Sequence, residues 1–298
     1  HVLIEDKEKL QQVHDKLRCI ELAQECNIPV PDTYLITSKE ELEKVADLTD
    51  GNVVVKYADS CSSQGLVIYQ KGKDHFLKEY TNNFDFNSSS GNVPFAQKLI
   101  DCDLIDTTAF GINGETIAVL SQQRLLCDWV TGGGGIVNIT NDVPEIMEHT
   151  KKLIRKLNWT GHIELDWVRD KHTGKYYLLE INPKIWGTTQ LTISAGYDYP
   201  YWFVSHVNGK TITVPGEYKK GLMYRWLDQE IKVILTECKS FGQFYKESKK
   251  FILRFFYRKC KYNVWWSDIK PFIYAFLKAI FLVFMIRIMN VNLRRFKV

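Results

Sequence analysis

The chain has 298 residues, 45% of them hydrophobic and 25% charged, with a formal net charge of +4. That length holds one large domain or two modest ones around a substantial core, and the composition excludes global disorder. The seven scattered cysteines (Cys19, Cys26, Cys61, Cys102, Cys127, Cys238 and Cys260) have neither Cys-x-x-Cys nor Cys/His spacing, which argues against a disulfide framework or zinc site and fits a reducing cytoplasm.

In chain order, the first helix is read in "DKLRCIELAQECN", where Leu17, Ile20, Ala23 and Cys26 recur at helical spacing. Asp15 is its expected cap and Asn27 its end. A second helix opens at "SKEE", where Ser38 and Glu41 have capping-box spacing. "NVVVKY" and "LVIYQ" read as strands on either side of a small-residue loop, "SCSSQG". From Pro94 to Leu126 the pattern is strand-rich, with "GINGET" supplying a hairpin turn. "TGGGG" at 131–135 is too flexible to form an element. "PEIMEHTKKLIRKLN" is an amphipathic helix with Ile146, Met147, Leu153, Ile154 and Leu157 on one face. "GHIELDWVRDKHTGKYYLLEIN" then reads as a β-hairpin turning at "DKHTG". Mixed strands and helices of this kind define an α+β (α/β) chain.

The hairpin carries the chemistry. Side chains alternate across a strand, so Ile163, Leu165 and Trp167 share one face of the first arm, with Glu164 and Asp166 on the other. On the second arm Leu179 and Ile181 are expected on the apolar face, with Glu180 and Asn182 opposite. Carboxylates converging on one sheet face repel unless a cation sits among them, and two carboxylates with an amide oxygen suit Mg²⁺. A half-exposed hairpin whose polar face simply meets water is the other reading that the spacing leaves open. His162 shares the acidic side, as a residue near substrate or as a structural histidine.

"DWVRDKHTGKYYLLEINPKIWGT" resembles the metal-binding hairpin of the ATP-grasp superfamily, in the branch of carbamoyl-phosphate synthase and biotin carboxylase. The resemblance implies that Asp166 and Glu180 ligate Mg²⁺ (or Mn²⁺) and that Asn182 completes the site. Lys184 stands where many relatives have Arg, and a lysine steadies phosphate or carboxylate only as a point charge. Further matches follow the family order. Lys16 opening its helix and Lys56 ending "VVVKY" resemble the nucleotide-contacting lysines. "SCSSQGL", with Ser62, Ser63 and Gly65, resembles the loop over the triphosphate. "FAQKLIDCD" resembles the hinge beside adenine, implying Gln97, Lys98 and Ile100 there and Asp103 at the ribose. Arg124 resembles the residue that neutralises the transferred phosphate.

What the resemblance implies is an ATP-grasp fold of two α+β subdomains, 16–98 and 99–215, with the nucleotide between them. Residues 1–15 would be a remnant of a preceding domain or a linker, so the N-terminus is expected to be shortened relative to the family. The implied activity is an ATP-dependent carboxylate–amine (or thiol) ligase that forms an acyl phosphate. Two rivals stand beside it: a bicarbonate-activating enzyme like carbamoyl-phosphate synthase, and a nucleotide-binding scaffold without turnover.

The remaining segment, 216–298, is an aromatic, basic helical extension. Residues 246–298 hold thirteen Lys/Arg against two acids, which leaves the rest of the chain at −7. The apolar run from Pro271 to Met289 is interrupted by Lys278 and Arg287, so a tail lying on an anionic inner leaflet fits better than a spanning helix. Packing on the body or a homo-oligomer is the competing reading, and nucleic acid is the least favoured partner. The expected location is cytoplasmic, peripheral on the inner face of the membrane, and the expected substrates are a small carboxylate and an amine, with a cell-envelope precursor as one candidate.

Overall fold

The computed structural model describes residues 5–59, 65–83, 94–127, 134–238, 240–264 and 267–288. From the N-terminus these form α1 (Lys7–His14), α2 (Lys16–Glu25), β1 (Thr33–Leu35), α3 (Lys39–Thr49), β2 (Val53–Tyr57), β3 (Val67–Tyr69), α4 (Lys73–Asn83), β4 (Pro94–Lys98), β5 (Cys102–Ile112) and β6 (Glu115–Cys127). The chain continues through β7 (Gly135–Asn141), α5 (Pro144–Leu157), β8 (Gly161–Asp170), β9 (Tyr176–Asn182), α6 (Thr189–Ala195) and α7 (Tyr199–Val207). It closes with β10 (Met223–Arg225), α8 (Leu227–Glu237), α9 (Phe241–Leu253), β11 (Cys260–Tyr262) and α10 (Lys270–Ile288). The class is α+β. Two compact units result, the first formed by His1–Ser121, Val143–Ile185 and Asp198–Val214, the second by Gln122–Asp142, Trp186–Tyr197 and Pro215–Val298.

In the first unit the helix starts follow from their caps. The Asp15 carboxylate accepts from the amides of Leu17 and Arg18 at 2.9 and 3.2 Å, and Asn27 follows the helix in the left-handed region at φ 54°. At α3, Ser38 Oγ accepts from the Glu41 amide. The Glu41 carboxylate reaches one residue further back than a capping box requires, to the amide and hydroxyl of Thr37, both at 2.7 Å. Those two bonds hold the Glu41 carboxyl below its ordinary range.

A four-stranded antiparallel sheet in the order β1-β4-β2-β3 buries Val53, Val55 and Tyr69 against Leu42 and Val45 of α3 and Phe76 and Tyr80 of α4. The other sheet of this unit runs β6-β5-β8-β9. Its β5–β6 turn has Asn113 at φ 48° and Gly114 at φ 77°, the positive pair that a two-residue hairpin turn needs. Ile163, Leu165 and Trp167 point into the core with Leu153, Ile154 and Leu157 of α5. The Trp167 indole donates to Thr107 Oγ1 at 2.9 Å, and the Thr107 and Thr150 hydroxyls lie 2.6 Å apart, so these three polar groups satisfy one another inside the core.

Strand β9 departs from simple alternation. Asp166 is level with Glu180, but Trp167 is level with Leu178, so Leu179 is an extra residue in a bulge. The buried side chains are therefore Leu178 and Ile181, at 1% and 3% exposure, and not Leu179 with Ile181 as alternation predicts. The Leu178 amide donates to Pro29 O at 2.9 Å, which draws the strand toward the segment after α2.

In the second unit β10 pairs antiparallel with β7 and parallel with β11. Helix α8 has no side-chain cap of its own; Asn263, just past β11, accepts from the Leu227 amide at 2.9 Å and donates to Asp228 at 2.6 Å. Arg225 is fully buried at the end of β10. Its Nε donates to Glu230 Oε2 at 2.8 Å, its NH2 donates to Phe251 O at 3.0 Å, and Arg254 donates to the other Glu230 oxygen at 2.5 Å. The rings of Phe251, Phe255 and Tyr262 surround the guanidinium at 4.8, 4.3 and 5.6 Å. Replacing Arg225 with Leu leaves the buried Glu230 with Arg254 as its remaining cation, so urea titration of Arg225→Leu is expected to show a loss of about 3 kcal/mol, with Glu230→Gln/Arg225→Leu recovering part of it.

Candidate active site

The sequence-derived residues of the first unit meet at the polar face of β8 and β9. Strand pairing sets Glu164 opposite Asn182 and Asp166 opposite Glu180. Helix α2 packs on β9 through Cys19, which is 1% exposed and interacts with the backbone of Ile181. Burial first, and then the Glu180 charge, push the Cys19 thiol up to about 12, so it remains a neutral packing group. This contact points the first residue of the helix, Lys16, at the carboxylates: its Nζ lies 3.9 Å from Glu180 Oε2.

Lys56 approaches from β2. Its Nζ donates to Gln97 Oε1 at 2.9 Å, and Gln97 in turn donates to Thr33 Oγ1 at 3.1 Å, so a buried amide on β4 fixes the lysine between two neighbouring strands. Burial depresses the Lys56 pKa; Glu180 and Asp166 oppose that shift, and the Lys16 charge adds to it. Although Lys56 keeps partial exposure as a residue, its ammonium end is enclosed.

For Glu180, burial alone would raise the pKa. Its hydrogen bonds with Asp166 and Asn182 and the charges of Lys16 and Lys56 outweigh that penalty, and the net shift is downward. Asn182 Nδ2 stands 3.3 Å from Glu180 Oε1 and 3.5 Å from Asp166 Oδ2. Turning the amide about its last torsion would present its carbonyl oxygen instead.

Two acidic residues outside the ligand set that the resemblance implies join this face, Asp106 and Glu164. Asp106 lies level with Asp166 across the β5–β8 ladder, and Thr108 is level with Glu164. Carboxylate oxygens of Asp106, Glu164 and Asp166 all lie within 4.8 Å of one another, with Asp106 at 1% and Glu164 at 6% exposure. The donor set is all oxygen, as a hard divalent cation such as Mg²⁺ or Mn²⁺ requires, and the Cys19 thiol beside Glu180 is protonated. The residues fit the metal. Glu164 was legible from parity in the hairpin, whereas Asp106 needed the non-local pairing of β5 with β8.

Lys98 is exposed at the end of β4, Ile100 is half-buried, and Asp103 Oδ2 is 3.8 Å from Arg169. Gly65, at φ 69°, lies against the Tyr57 ring so closely that a Cβ would stand 2.6 Å from it. Lys184 is exposed just beyond β9. Arg124 is half-buried on the part of β6 that belongs to the second unit. Ser62 and Ser63, and most of "TGGGG", lie outside the described residues. His162 packs edge-on against Phe203 of α7 at 5.5 Å, and burial lowers its pKa.

The fold has counterparts among known proteins. Residues 106–230 match a family model described as "ATP-grasp in the biosynthetic pathway with Ter operon". Among solved structures, a biotin carboxylase from Campylobacter jejuni, in complex with beta-gamma-ATP, superposes with a TM-score of 0.62 at 14% identity over 74% of this chain and 52% of that one. The biotin carboxylase domain of the Hydrogenobacter thermophilus 2-oxoglutarate carboxylase, with MgADP, ADP and bicarbonate, gives 0.59 at 16% identity over 72% and 50%. N5-carboxyaminoimidazole synthase from Aspergillus clavatus, with ADP and 5-aminoimidazole ribonucleotide, gives 0.55 at 14% identity over 72% and 57%. The chain thus has the ATP-grasp fold that its motifs resemble. It spans about half the length of these structures, 50–57%.

The depressed Glu180 pKa has a pH consequence. A carboxyl whose folded pKa lies below its unfolded value stabilises the fold above the ordinary glutamate range, and that contribution disappears as pH falls through the lower, folded value. Urea midpoints measured across the acid limb are expected to fall less steeply for Glu180→Gln than for the parent protein.

Proposed function

We propose that the protein is an ATP-dependent carboxylate–amine (or thiol) ligase that activates its carboxylate as an acyl phosphate. The observation that carries this reading is the meeting of Lys16 and Lys56 with Asp166, Glu180 and Asn182 on one sheet face of an ATP-grasp fold. Residues 16–98 and 99–215 are proposed as the subdomains that flank the nucleotide. Asp166, Glu180 and Asn182 would hold Mg²⁺, which offsets phosphate charge during transfer. Asp106 and Glu164 lie close enough to Asp166 to add ligands. Lys16 and Lys56 would bind phosphate oxygens; the buried Gln97 keeps Lys56 extended toward them and spares the entropy of ordering a long side chain. Gln97, Lys98, Ile100 and Asp103 are proposed beside adenine and ribose, and Lys184 beside the substrate carboxylate.

Bicarbonate is included among the candidate carboxylates because a structural neighbour was solved with it. The acceptor is proposed to be met at an anionic membrane surface reached through residues 246–298, which suits a cell-envelope precursor and a peripheral location.

Release of ADP with panels of carboxylates, bicarbonate and amines tests the ligase reading. One pair is expected to stimulate release, and Glu180→Gln is expected to lower the stimulated rate by about a hundredfold or more. Nucleotide binding that no pair converts to ADP release would leave a scaffold. Asp106→Asn is expected to weaken Mg²⁺-dependent nucleotide binding by about 10–100-fold, measured by calorimetry, if Asp106 supports the metal ligands.

A further inference from the structure

In the second unit, large exposed apolar side chains lie on α9, on the turn that follows it and on α10, where Tyr274, Leu277 and Phe281 are exposed. Phe241, Tyr245 and Ile252 are 82%, 63% and 58% exposed, and Phe256 beyond the helix is 77% exposed. Phe241, Tyr245 and Ile252, four and then seven residues apart, fall on one stripe of the helix. The opposite stripe is already committed, with Glu247 buried and Phe251 packed on the Arg225 guanidinium. Helix α9 is therefore clamped by its inner face and still presents a second apolar face outward. A folded chain gains nothing within itself from such a stripe.

The charge around the stripe identifies its partner. Lys246, Lys249 and Lys250 are exposed beside it, and Arg258, Lys259 and Lys261 are exposed after it. Across 241–264 seven Lys/Arg stand against one acid, Glu247, whose carboxylate already accepts from Lys250 at 2.7 Å. A second copy of this chain would bring the same cations together, and like charges at an interface oppose association. Aromatic and aliphatic side chains flanked by lysines instead match the acyl boundary and phosphate layer of an anionic bilayer. Among the described residues no helix is long and apolar enough to cross a membrane.

We propose that the outer face of α9, continued to Phe256, is a docking surface for an anionic phospholipid bilayer. Phe241, Tyr245, Ile252 and Phe256 enter the headgroup boundary, and Lys246 and Lys249 pair with lipid phosphates. This deepens the membrane part of the proposed function and rests on that reading for its biological purpose, although the surface is defined without the nucleotide site.

Vesicle flotation of the full chain tests it, using phosphatidylcholine alone and with about 30% phosphatidylglycerol. Partitioning is expected to be at least about tenfold stronger on the anionic vesicles and to fall in high salt. Phe241→Asp/Phe256→Asp and, separately, Lys246→Glu/Lys249→Glu are expected to lose about tenfold or more, with thermal unfolding and MgADP binding unchanged. Equal partitioning on both vesicles, variants that float like the parent, or a lipid-free dimer abolished by the same substitutions would each overturn the proposal. MgADP binding on the same preparations separates the two readings: flotation without nucleotide binding sinks the ligase alone, and nucleotide binding without flotation sinks the docking surface alone.

Discussion

Asp106, Asp166 and Glu180 stand level on three neighbouring strands, with Glu164 one step along, and the charge this concentrates on one sheet face constrains the first unit. At an effective dielectric constant near 20, two carboxylates about 4 Å apart repel by roughly 4 kcal/mol. Lys16 and Lys56 and the Asn182 amide offset part of that repulsion. The start of α2 helps as well, because Lys16 is its first residue and the positive end of the helix dipole approaches Glu180 with it. The arrangement lowers the cost of binding a divalent cation and a polyphosphate, since the cation takes up the repulsion and the phosphate takes up the lysines.

The same strands must carry a core on their other side. Ile163, Leu165 and Trp167 alternate with Glu164 and Asp166, so a shift of one residue in register would turn the acids into the apolar core and the tryptophan onto the polar face. The Thr107–Thr150–Trp167 hydroxyl and indole contacts lie directly behind the acidic face and hold that register with polar specificity. The β9 bulge at Leu179 permits both demands: it lets Leu178 reach the core and the Pro29 carbonyl while Glu180 stays level with Asp166.

Much of this was legible in the sequence because it is local. Asp15, Ser38 and the Asn113–Gly114 turn act on residues within four positions of themselves, and the parity of β8 assigns Glu164 and Asp166 to one face without any partner strand. Asp106 was not legible: a lone aspartate in "DLIDTTAFG" acquires meaning only when β5 pairs with β8, some sixty residues later. Leu178 and Leu179 were misassigned because alternation cannot register a bulge whose cause, the Pro29 carbonyl, lies about 150 residues earlier. Helix α1 went unread because its sequence, "KEKLQQVH", buries only Val13 and so has little apolar periodicity. The Arg225 cage was hidden for a similar reason, since a strand of three residues gives no sign that its last one will be enclosed by three rings.

That cage explains why α9 has an apolar stripe to spare. A buried ion pair gains less net stability than an apolar cluster of the same volume, so its value lies in fixing one geometry. Arg225, Glu230 and Arg254 join β10, α8 and the end of α9 through directional bonds, and Phe251 and Phe255 seal the guanidinium from water. With orientation set by the ion pair, α9 is held without using its outer aromatics. An apolar clamp would have placed Phe241, Tyr245 and Ile252 in competition for the same interior, and the helix could roll to bury whichever face packed best. The polar clamp forbids that roll, which keeps the stripe outward at the cost of leaving hydrophobic area in water.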